Sequence, residues 1–336
     1  MTRPRSTLID IESTSYYHCI SRCVRRAFLW GEDYLTGKDY SHRKAWVIER
    51  LTTLNELFAI DICAYAIMSN HYHVVLRVDK EVQESWTQEM VIKRWGRLFS
   101  IPVLIRRYQA GQTSKAQTQE AEKIIATWRA RLADVSWFMR CLNEYLARKA
   151  NKEDNCTGRF WEGRFKSQAL LDEAAVLTCM SYVDLNPIRA GIAEFPENSD
   201  YTSIKQRIEN FQNKNNSQTI SKSSSSMSYL PLLALDNVED GHCHHFVFDT
   251  KDYFQLVDWA GRSIRKGKRG QIVEDAPDIL HRLNICPDFY LKSLQSSHQR
   301  LSIPIALGGV DIINTFLKKT QRKFLRSYQS INPLFN

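Results

Sequence analysis

The chain has 336 residues, of which 43% are hydrophobic and 25% are charged, and this composition excludes collagens, coiled coils and wholly disordered chains. Lysine and arginine total 46 against 37 for aspartate and glutamate, a formal charge of +9, which favours a polyanion such as nucleic acid as the partner. The length suggests about two domains of roughly 150 residues each.

The apolar runs are far shorter than the roughly 18 residues of a membrane span, so we expect no membrane association. The first residues are basic but lead into no apolar signal region, and the eight cysteines include no Cys-x-x-Cys pair. We therefore expect a cytoplasmic protein with free thiols rather than a secreted one with a disulfide framework.

The first part of the chain predicts the order strand, helix, strand, turn, strand. Residues 16–24 alternate and are rich in β-formers, whereas residues 40–57 place apolar side chains at helical spacing. Residues 60–68 and 72–78 are β-branched and aromatic, and the polar residues 69–71 between them suit a tight turn. This order begins a ferredoxin-like split βαβ arrangement, so the predicted class is α+β with an antiparallel sheet.

Residues 80–135 are more polar and predict a helical insertion that contains a loop at about 109–119. An amphipathic helix follows at 137–148, and residues 159–171 are predicted to end in a strand. Asp172 can cap the next helix, which runs toward Asn186 and is predicted to stop at Pro187.

Residues 212–228 consist mostly of Asn, Lys, Ser and Gln and predict a flexible polar linker. The linker would separate a first domain of residues 1–211 from a mainly helical region of residues 229–336. Basic stretches at 262–269 and 318–326 of that region either contact DNA phosphates or form a solvated face. The run around Cys243 has soft-metal ligands, but its spacing gives no tetrahedral set, so we expect a polar turn there.

Two histidines, His71 and His73, are separated by one residue in a predicted strand. A strand projects residues i and i+2 on the same face, so both imidazoles could bind one metal ion. The alternative is a pair of polar residues on a solvated face.

Tyr182 and Asn186 are separated by four residues in a predicted helix and would therefore share one face. An Asn oxygen suits a hard divalent cation, and a tyrosine oxygen can act as a covalent nucleophile. The alternative is a half-buried tyrosine followed by a capping Asn. Tyr145, also on a predicted helix, is the competing nucleophile, and we prefer Tyr182 because it lies four residues before Asn186 and the Asn-Pro boundary.

Cations and aromatic rings alternate just before the last predicted strand of this domain. Such a segment can hold phosphates and stack unpaired bases, although its aromatic residues could equally belong to the core. Further cations at the end of the first strand could follow a DNA backbone or solubilise a sheet edge. The candidate DNA-binding residues are Arg22, Arg25, Arg159, Trp161, Arg164 and Lys166.

These motifs in this order resemble the single-tyrosine HUH transposases, in particular the REP-associated tyrosine transposases. The resemblance rests on Met68 to Leu76 with its His-Tyr-His, on Arg159 to Ser167, on the Tyr-x-x-x-Asn-Pro of residues 182–187, and on the opening Tyr17 to Cys23. It spans about residues 10–205 and leaves the insertion and residues 229–336 outside the family core.

The resemblance implies a ferredoxin-like domain that nicks and rejoins single-stranded DNA, often beside a palindromic hairpin. It implies Tyr182 as the nucleophile, with a 5′-phosphotyrosine intermediate, and His71, His73 and Asn186 as ligands of Mg²⁺ or Mn²⁺. Neighbouring branches carry Gln in place of Asn186. Two other functions stay open: a non-catalytic nucleic-acid-binding regulator, and a metal-dependent nuclease that uses water.

Overall fold

The computed structural model describes residues 9–24, 31, 37–215, 230–235, 248, 250–264, 306–308 and 310–319. Its strands are β1 Tyr16–Arg22, β2 Ile60–Ile67, β3 His71–Val78, β4 Lys166–Leu170 and β5 Ala306–Leu307. They form one sheet with the order β2-β3-β1-β4-β5. The first four strands pair antiparallel, and β5 pairs parallel with β4.

Five of the described helices begin at a residue whose side chain accepts a hydrogen bond from a backbone N–H of the first turn, as N-capping requires. The caps are Asp79, Thr87, Ser114, Asp134 and Asp172. The helices are α1 Arg43–Leu57, α2 Lys80–Ser85, α3 Gln88–Gly96, α4 Val103–Gln109, α5 Lys115–Arg131, α6 Val135–Glu153, α7 Glu173–Asp184, α8 Asn186–Arg189, α9 Ser203–Asn215, α10 Thr250–Ile264 and α11 Val310–Lys319.

Alternating side chains divide the sheet into two faces. We call the first face the one that carries Tyr17, Tyr72 and Val74, which shares a core with α1, α6 and the insertion helices. The second face carries Val75 and Ala64 and shares a core with α7, α9 and α10. Both faces of the sheet are therefore covered, and all but one residue of each of β2 and β3 is buried.

The predicted elements up to α7 all occur, with two local errors. The loop predicted at about 109–119 is shorter, residues 110–114, since α5 begins at Lys115 with a reciprocal capping box between Ser114 and Gln117. The prediction that the helix stops at Pro187 is also wrong, because a helical segment continues through this residue. Asn186 begins the separate helix α8, and Pro187 lies in its first turn, where a missing N–H removes no helical hydrogen bond.

Residues 212–215, at the start of the predicted linker, are the last residues of α9. Residues 216–228 and the run around Cys243 lie outside the described residues, as do most of the two C-terminal basic stretches. No helix of the described residues is long and apolar enough to span a bilayer.

The described segments beyond residue 229 pack on the same two cores. Leu233 donates its backbone N–H to Ile62 on the outer edge of β2 at 2.9 Å, and β5 covers β4 at the opposite edge. The guanidinium of Arg207 on α9 donates to the carbonyls of Cys63 and Leu233, so it links the contact between Leu233 and β2 to α9.

Candidate functional site

Three histidines meet on the second face of the sheet. The ring centroids of His71 and His73 on β3 lie 4.9 Å apart, and the ring of His18 on β1 stacks on His73 at 5.1 Å. His18 belongs to the same face because it is two residues from Ile20, which pairs with His73 across the β1–β3 ladder. The antiparallel register therefore builds a compact imidazole cluster.

Hydrogen bonds fix the orientation of these rings. Nε2 of His18 lies 2.9 Å from Nδ1 of His73, and Nδ1 of His18 lies 3.3 Å from Oε1 of Gln168 on β4. Nδ1 of His71 lies 2.6 Å from Oδ1 of Asn70. Nε2 of His73 is buried and has no hydrogen-bond partner among the described residues. A buried polar atom in this state is costly unless it binds a further group.

Burial favours the uncharged form of two rings of the cluster. It lowers the pKa of His18 to about 4. It also lowers the pKa of His73 well below the usual value, and unfavourable electrostatic interactions of a protonated His73 with His71, His18 and Arg189 act in the same direction. Both rings are therefore neutral at neutral pH, which is the form in which an imidazole binds a metal ion or accepts a hydrogen bond.

Tyr182 on α7 stands edge-on to this cluster. Its ring centroid is 5.8 Å from His73 and 6.1 Å from His18. Burial raises the pKa of its hydroxyl, whereas the Arg189 guanidinium and a hydrogen bond with the Asn186 side chain lower it. The Arg189 guanidinium lies 4.5 Å from the centre of the tyrosine ring. A positive charge held there stabilises a phenolate.

Asn186 is buried at the start of α8, and its Nδ2 donates to the backbone carbonyl of Tyr182 at 3.1 Å. Leu185 between α7 and α8 keeps helical dihedral angles, with φ −84° and ψ −1°. The four-residue relation between Tyr182 and Asn186 is therefore kept although the two residues belong to different helices.

A buried carboxylate anchors the end of α7. Asp184 accepts hydrogen bonds from the Ser203 hydroxyl at 2.5 Å, the Ile204 backbone N–H at 3.0 Å and the Tyr253 hydroxyl at 2.5 Å. Burial raises the pKa of Asp184 to about 6, and these hydrogen bonds oppose the rise. Asp184 thus connects the segment that carries Tyr182 to both α9 and α10.

Close packing holds the same segment from a second side. A Cβ added at Gly261 of α10 would lie 3.1 Å from Cδ2 of Leu185, tighter than an ordinary contact. The absence of a side chain at Gly261 therefore lets α10 approach the junction between Tyr182 and Asn186 closely.

Two candidate DNA-binding residues, Arg22 and Lys166, lie on β1, which carries His18, and on β4, which carries Gln168. Arg22 pairs with His71 in the β1–β3 register, and its Nε lies 3.5 Å from the Glu162 carboxylate. Lys166 is exposed and pairs with Ile20. Arg25 lies outside the described residues.

Residues 159–164 pass from the end of α6 toward β4. Arg159 and Arg164 are exposed, whereas Phe160 is buried. The half-buried Trp161 donates its indole N–H to the Asn143 carbonyl at 3.0 Å and packs edge-on against Tyr72. The cations of this segment therefore face solvent, and its two aromatic rings pack on the core of the first face.

Tyr145 lies on α6 and packs against the core of the first face. Tyr182 lies on the second face, so the sheet separates the two candidate nucleophiles. The histidine cluster is on the side of Tyr182.

Sequence reasoning missed His18, Gln168 and Arg189. The alternation of β1 gives a face to His18 but not a neighbour, because the neighbours come from β3 and β4, 55 and 150 residues away. The spacing could have indicated Arg189, because it lies seven residues after Tyr182 and would share its face if the helical conformation continued from α7 into α8.

The described residues contain no group of three or more His, Cys, Asp and Glu side chains that could hold a metal ion. The predicted ligand set is of a different kind, two imidazoles and one amide. Its donors agree with an open site, because Nε2 of His73 has no hydrogen-bond partner in the part of the chain that the structure describes, and a hydrogen bond orients each of the two rings through Nδ1.

No protein-family model matches the chain, and no curated protein matches it. A solved structure of a REP-associated tyrosine transposase bound to a REP hairpin is similar, with 10% sequence identity and a TM-score of 0.37. The similarity covers 68% of this chain and 96% of that one. A similarity this distant assigns no function to the chain.

Proposed function

We propose that the chain is a metal-dependent DNA transposase that cuts and rejoins single strands through Tyr182. The observation that carries the proposal is the position of the Tyr182 ring, 5.8 Å from that of His73, whose Nε2 is buried without a hydrogen-bond partner among the described residues. A nucleophile beside an unsatisfied ligand atom has the arrangement that a metal-assisted phosphoryl transfer requires.

His71, His73 and Asn186 would hold the metal, which we propose to be Mg²⁺ or Mn²⁺. When bound, the cation would neutralise charge on the phosphoryl oxygens of the substrate. The chain itself keeps His73 neutral by burial and holds its ring through His18, and Gln168 holds His18 in turn.

The proposed reaction is a transesterification. The Tyr182 oxygen attacks the scissile phosphorus and loses its proton, while the bond from phosphorus to the 3′ oxygen breaks and that oxygen gains a proton. The products are a 5′-phosphotyrosine and a free 3′-hydroxyl, and attack by another 3′-hydroxyl rejoins the strand. Arg189 supports the step by stabilising the phenolate of Tyr182.

The strand order and connections are consistent with this proposal. Strands β2-β3-β1-β4 alternate in direction, with α1 between β1 and β2 and with α6 preceding β4. We interpret this as the ferredoxin-like split βαβ arrangement. The exposed cations Arg159, Arg164 and Lys166 favour a single-stranded or hairpin DNA substrate.

A denaturing-gel assay for a covalent protein–DNA adduct tests the proposal. The purified full chain is mixed with labelled hairpin oligonucleotides from sequence flanking its own gene, with Mg²⁺, with Mn²⁺ or with EDTA. We expect a metal-dependent adduct that Tyr182→Phe abolishes and that the matched Tyr145→Phe variant retains.

Two outcomes would replace the proposal. Tight hairpin binding without adduct or cleavage would identify a non-catalytic regulator. Cleavage without a protein-bound strand would identify a nuclease that uses water.

A further inference from the structure

A basic cavity of about 320 Å³ lies on the first face, between α1, α6 and residues 98–99. We call it the α6 cavity. Five cationic side chains and one carboxylate, Glu144, line it together with Tyr145. The cations are Arg50, Arg140, Arg148, Lys149 and Lys152.

The cationic side chains of the α6 cavity outnumber the carboxylates that lie close to them. Glu144 pairs with both Arg140 at 2.8 Å and Arg148 at 3.6 Å, and Glu49 lies 3.9 Å from Lys149. The five cations therefore face two carboxylates, a net charge of +3. The Arg148 side chain is 82% exposed and can turn toward a ligand at little cost.

Tyr145 gives the cavity an aromatic wall. The Arg50 guanidinium lies 4.8 Å from the centre of its ring, and Lys149 donates to its hydroxyl at 3.3 Å. Cations combined with an accessible ring are the groups that bind a sugar-phosphate backbone and its unpaired bases. This environment also gives Tyr145 a use other than that of a nucleophile.

A continuous chain segment connects the α6 cavity to β4. Asn151, one residue before Lys152 on α6, donates to the Gly158 carbonyl at 3.1 Å. The exposed Arg159, Arg164 and Lys166 follow before and at the start of β4. Exposed cations thus continue from the α6 cavity to the strand whose Gln168 contacts His18 of the histidine cluster.

We infer that the α6 cavity binds the phosphate backbone of the DNA whose strand is cut at Tyr182. This inference rests on the proposed function for the identity of the ligand. The cavity holds a part of the DNA away from the scissile phosphate and contributes affinity rather than chemistry.

The test compares two double variants of the full chain that remove the same charge. Arg148→Gln/Lys152→Gln removes two exposed cations of the α6 cavity, and Lys115→Gln/Lys123→Gln removes two exposed cations of α5 outside it. Fluorescence anisotropy with a labelled hairpin oligonucleotide, in EDTA and between 50 and 200 mM NaCl, measures affinity and its salt dependence.

We expect the cavity variant to bind DNA about tenfold more weakly at the lowest salt concentration, and the slope of log K against log salt to decrease by about 0.9 for each lost phosphate contact. The α5 variant should keep the wild-type slope. Equal behaviour of the two variants would overturn the inference, and so would the absence of hairpin binding by the wild type.

A thermal-shift measurement with inorganic phosphate and with dAMP separates DNA from a free phosphate ligand. If either compound stabilises the wild type but not the cavity variant, while the DNA affinities of both are equal, the cavity binds a small phosphate compound and the inference fails. The adduct assay is independent of this result. A cavity variant that forms adduct at saturating DNA while the slope is unchanged leaves the proposed function standing without the α6 cavity.

Discussion

The histidine cluster on the second face is buried and its rings are held by direct hydrogen bonds, whereas the α6 cavity, among the helices that cover the first face, leaves most of its cations exposed to solvent. His18 and His73 lose charge through burial, while Arg140 and Arg148 of the α6 cavity keep 55% and 82% of their side-chain surface exposed. Buried groups supply a fixed geometry, and exposed cations supply long-range attraction. In the proposed function, the chemistry and the binding of DNA by the α6 cavity would therefore take place on opposite sides of one sheet.

The largest expected effect distinguishes Tyr182 on the second face from Tyr145 on the first-face side. Tyr182→Phe should lower the rate of strand cleavage by about 10³-fold or more, since it removes the nucleophile. Hairpin affinity should change less than about twofold, because the ring and its packing are kept. Single-turnover cleavage and anisotropy measure the two quantities. A cleaving Tyr182→Phe variant would contradict the assignment, and Tyr145→Phe is the control.

The next effect concerns the anchoring of α7. Tyr253→Phe removes one hydrogen bond to the buried Asp184 carboxylate and should lower the free energy of unfolding by about 1.5–3 kcal/mol. Tyr108→Phe removes an exposed hydrogen bond of the same length, 2.5 Å, to Gln88 and should cost less than about 0.5 kcal/mol. Urea denaturation measures both variants. Equal losses would contradict the anchoring role of Asp184.

A smaller expected effect tests whether Gln168 positions the rings of the histidine cluster. Gln168→Ala removes the group that faces Nδ1 of His18 and should reduce cleavage about tenfold through the looser orientation of His73. Because Gln168 is a positioning residue, apparent affinity for the activating metal should fall with the rate. The measurement is a metal titration of cleavage. A reduced rate at unchanged metal dependence would argue for another role.

The smallest expected effect concerns the two exposed arginines in the segment before β4. Arg159→Gln/Arg164→Gln should weaken hairpin binding about threefold and lower the salt slope by about 0.7 for each contact to a single strand. Cleavage at saturating DNA should stay unchanged. An unaltered slope in the anisotropy measurement would show that these exposed arginines contact no phosphate.

The sequence predicted the parts of the fold that local patterns determine. Alternation located β1, and runs of β-branched and aromatic residues located β2 and β3, while the Asp172 cap located the start of α7. The start of α5 was missed because residues 109–119 have no apolar period, and the capping box of Ser114 and Gln117 that begins the helix is formed by polar side chains.

The candidate site was predictable only within each motif. The spacing of His71 and His73 gave a shared strand face, and that of Tyr182 and Asn186 a shared helical face. The approach of Tyr182 to His73, and the place of His18 between His73 and Gln168, depend on strand pairing and on the packing of α7. These are contacts between distant parts of the chain, which spacing alone does not specify.

The segments after residue 229 have a consequence for experiments. Residues 230–235 hydrogen-bond to the outer edge of β2, and β5 pairs with β4 at the other end of the sheet. A chain shortened to residue 229 would leave the outer edge of β4 unpaired and would expose the backbone of Ile62 on β2, and such edges promote self-association. Loss of DNA binding on truncation would then reflect aggregation as readily as a lost contact. The contribution of the C-terminal region is therefore better measured by substituting single side chains while both edges stay covered.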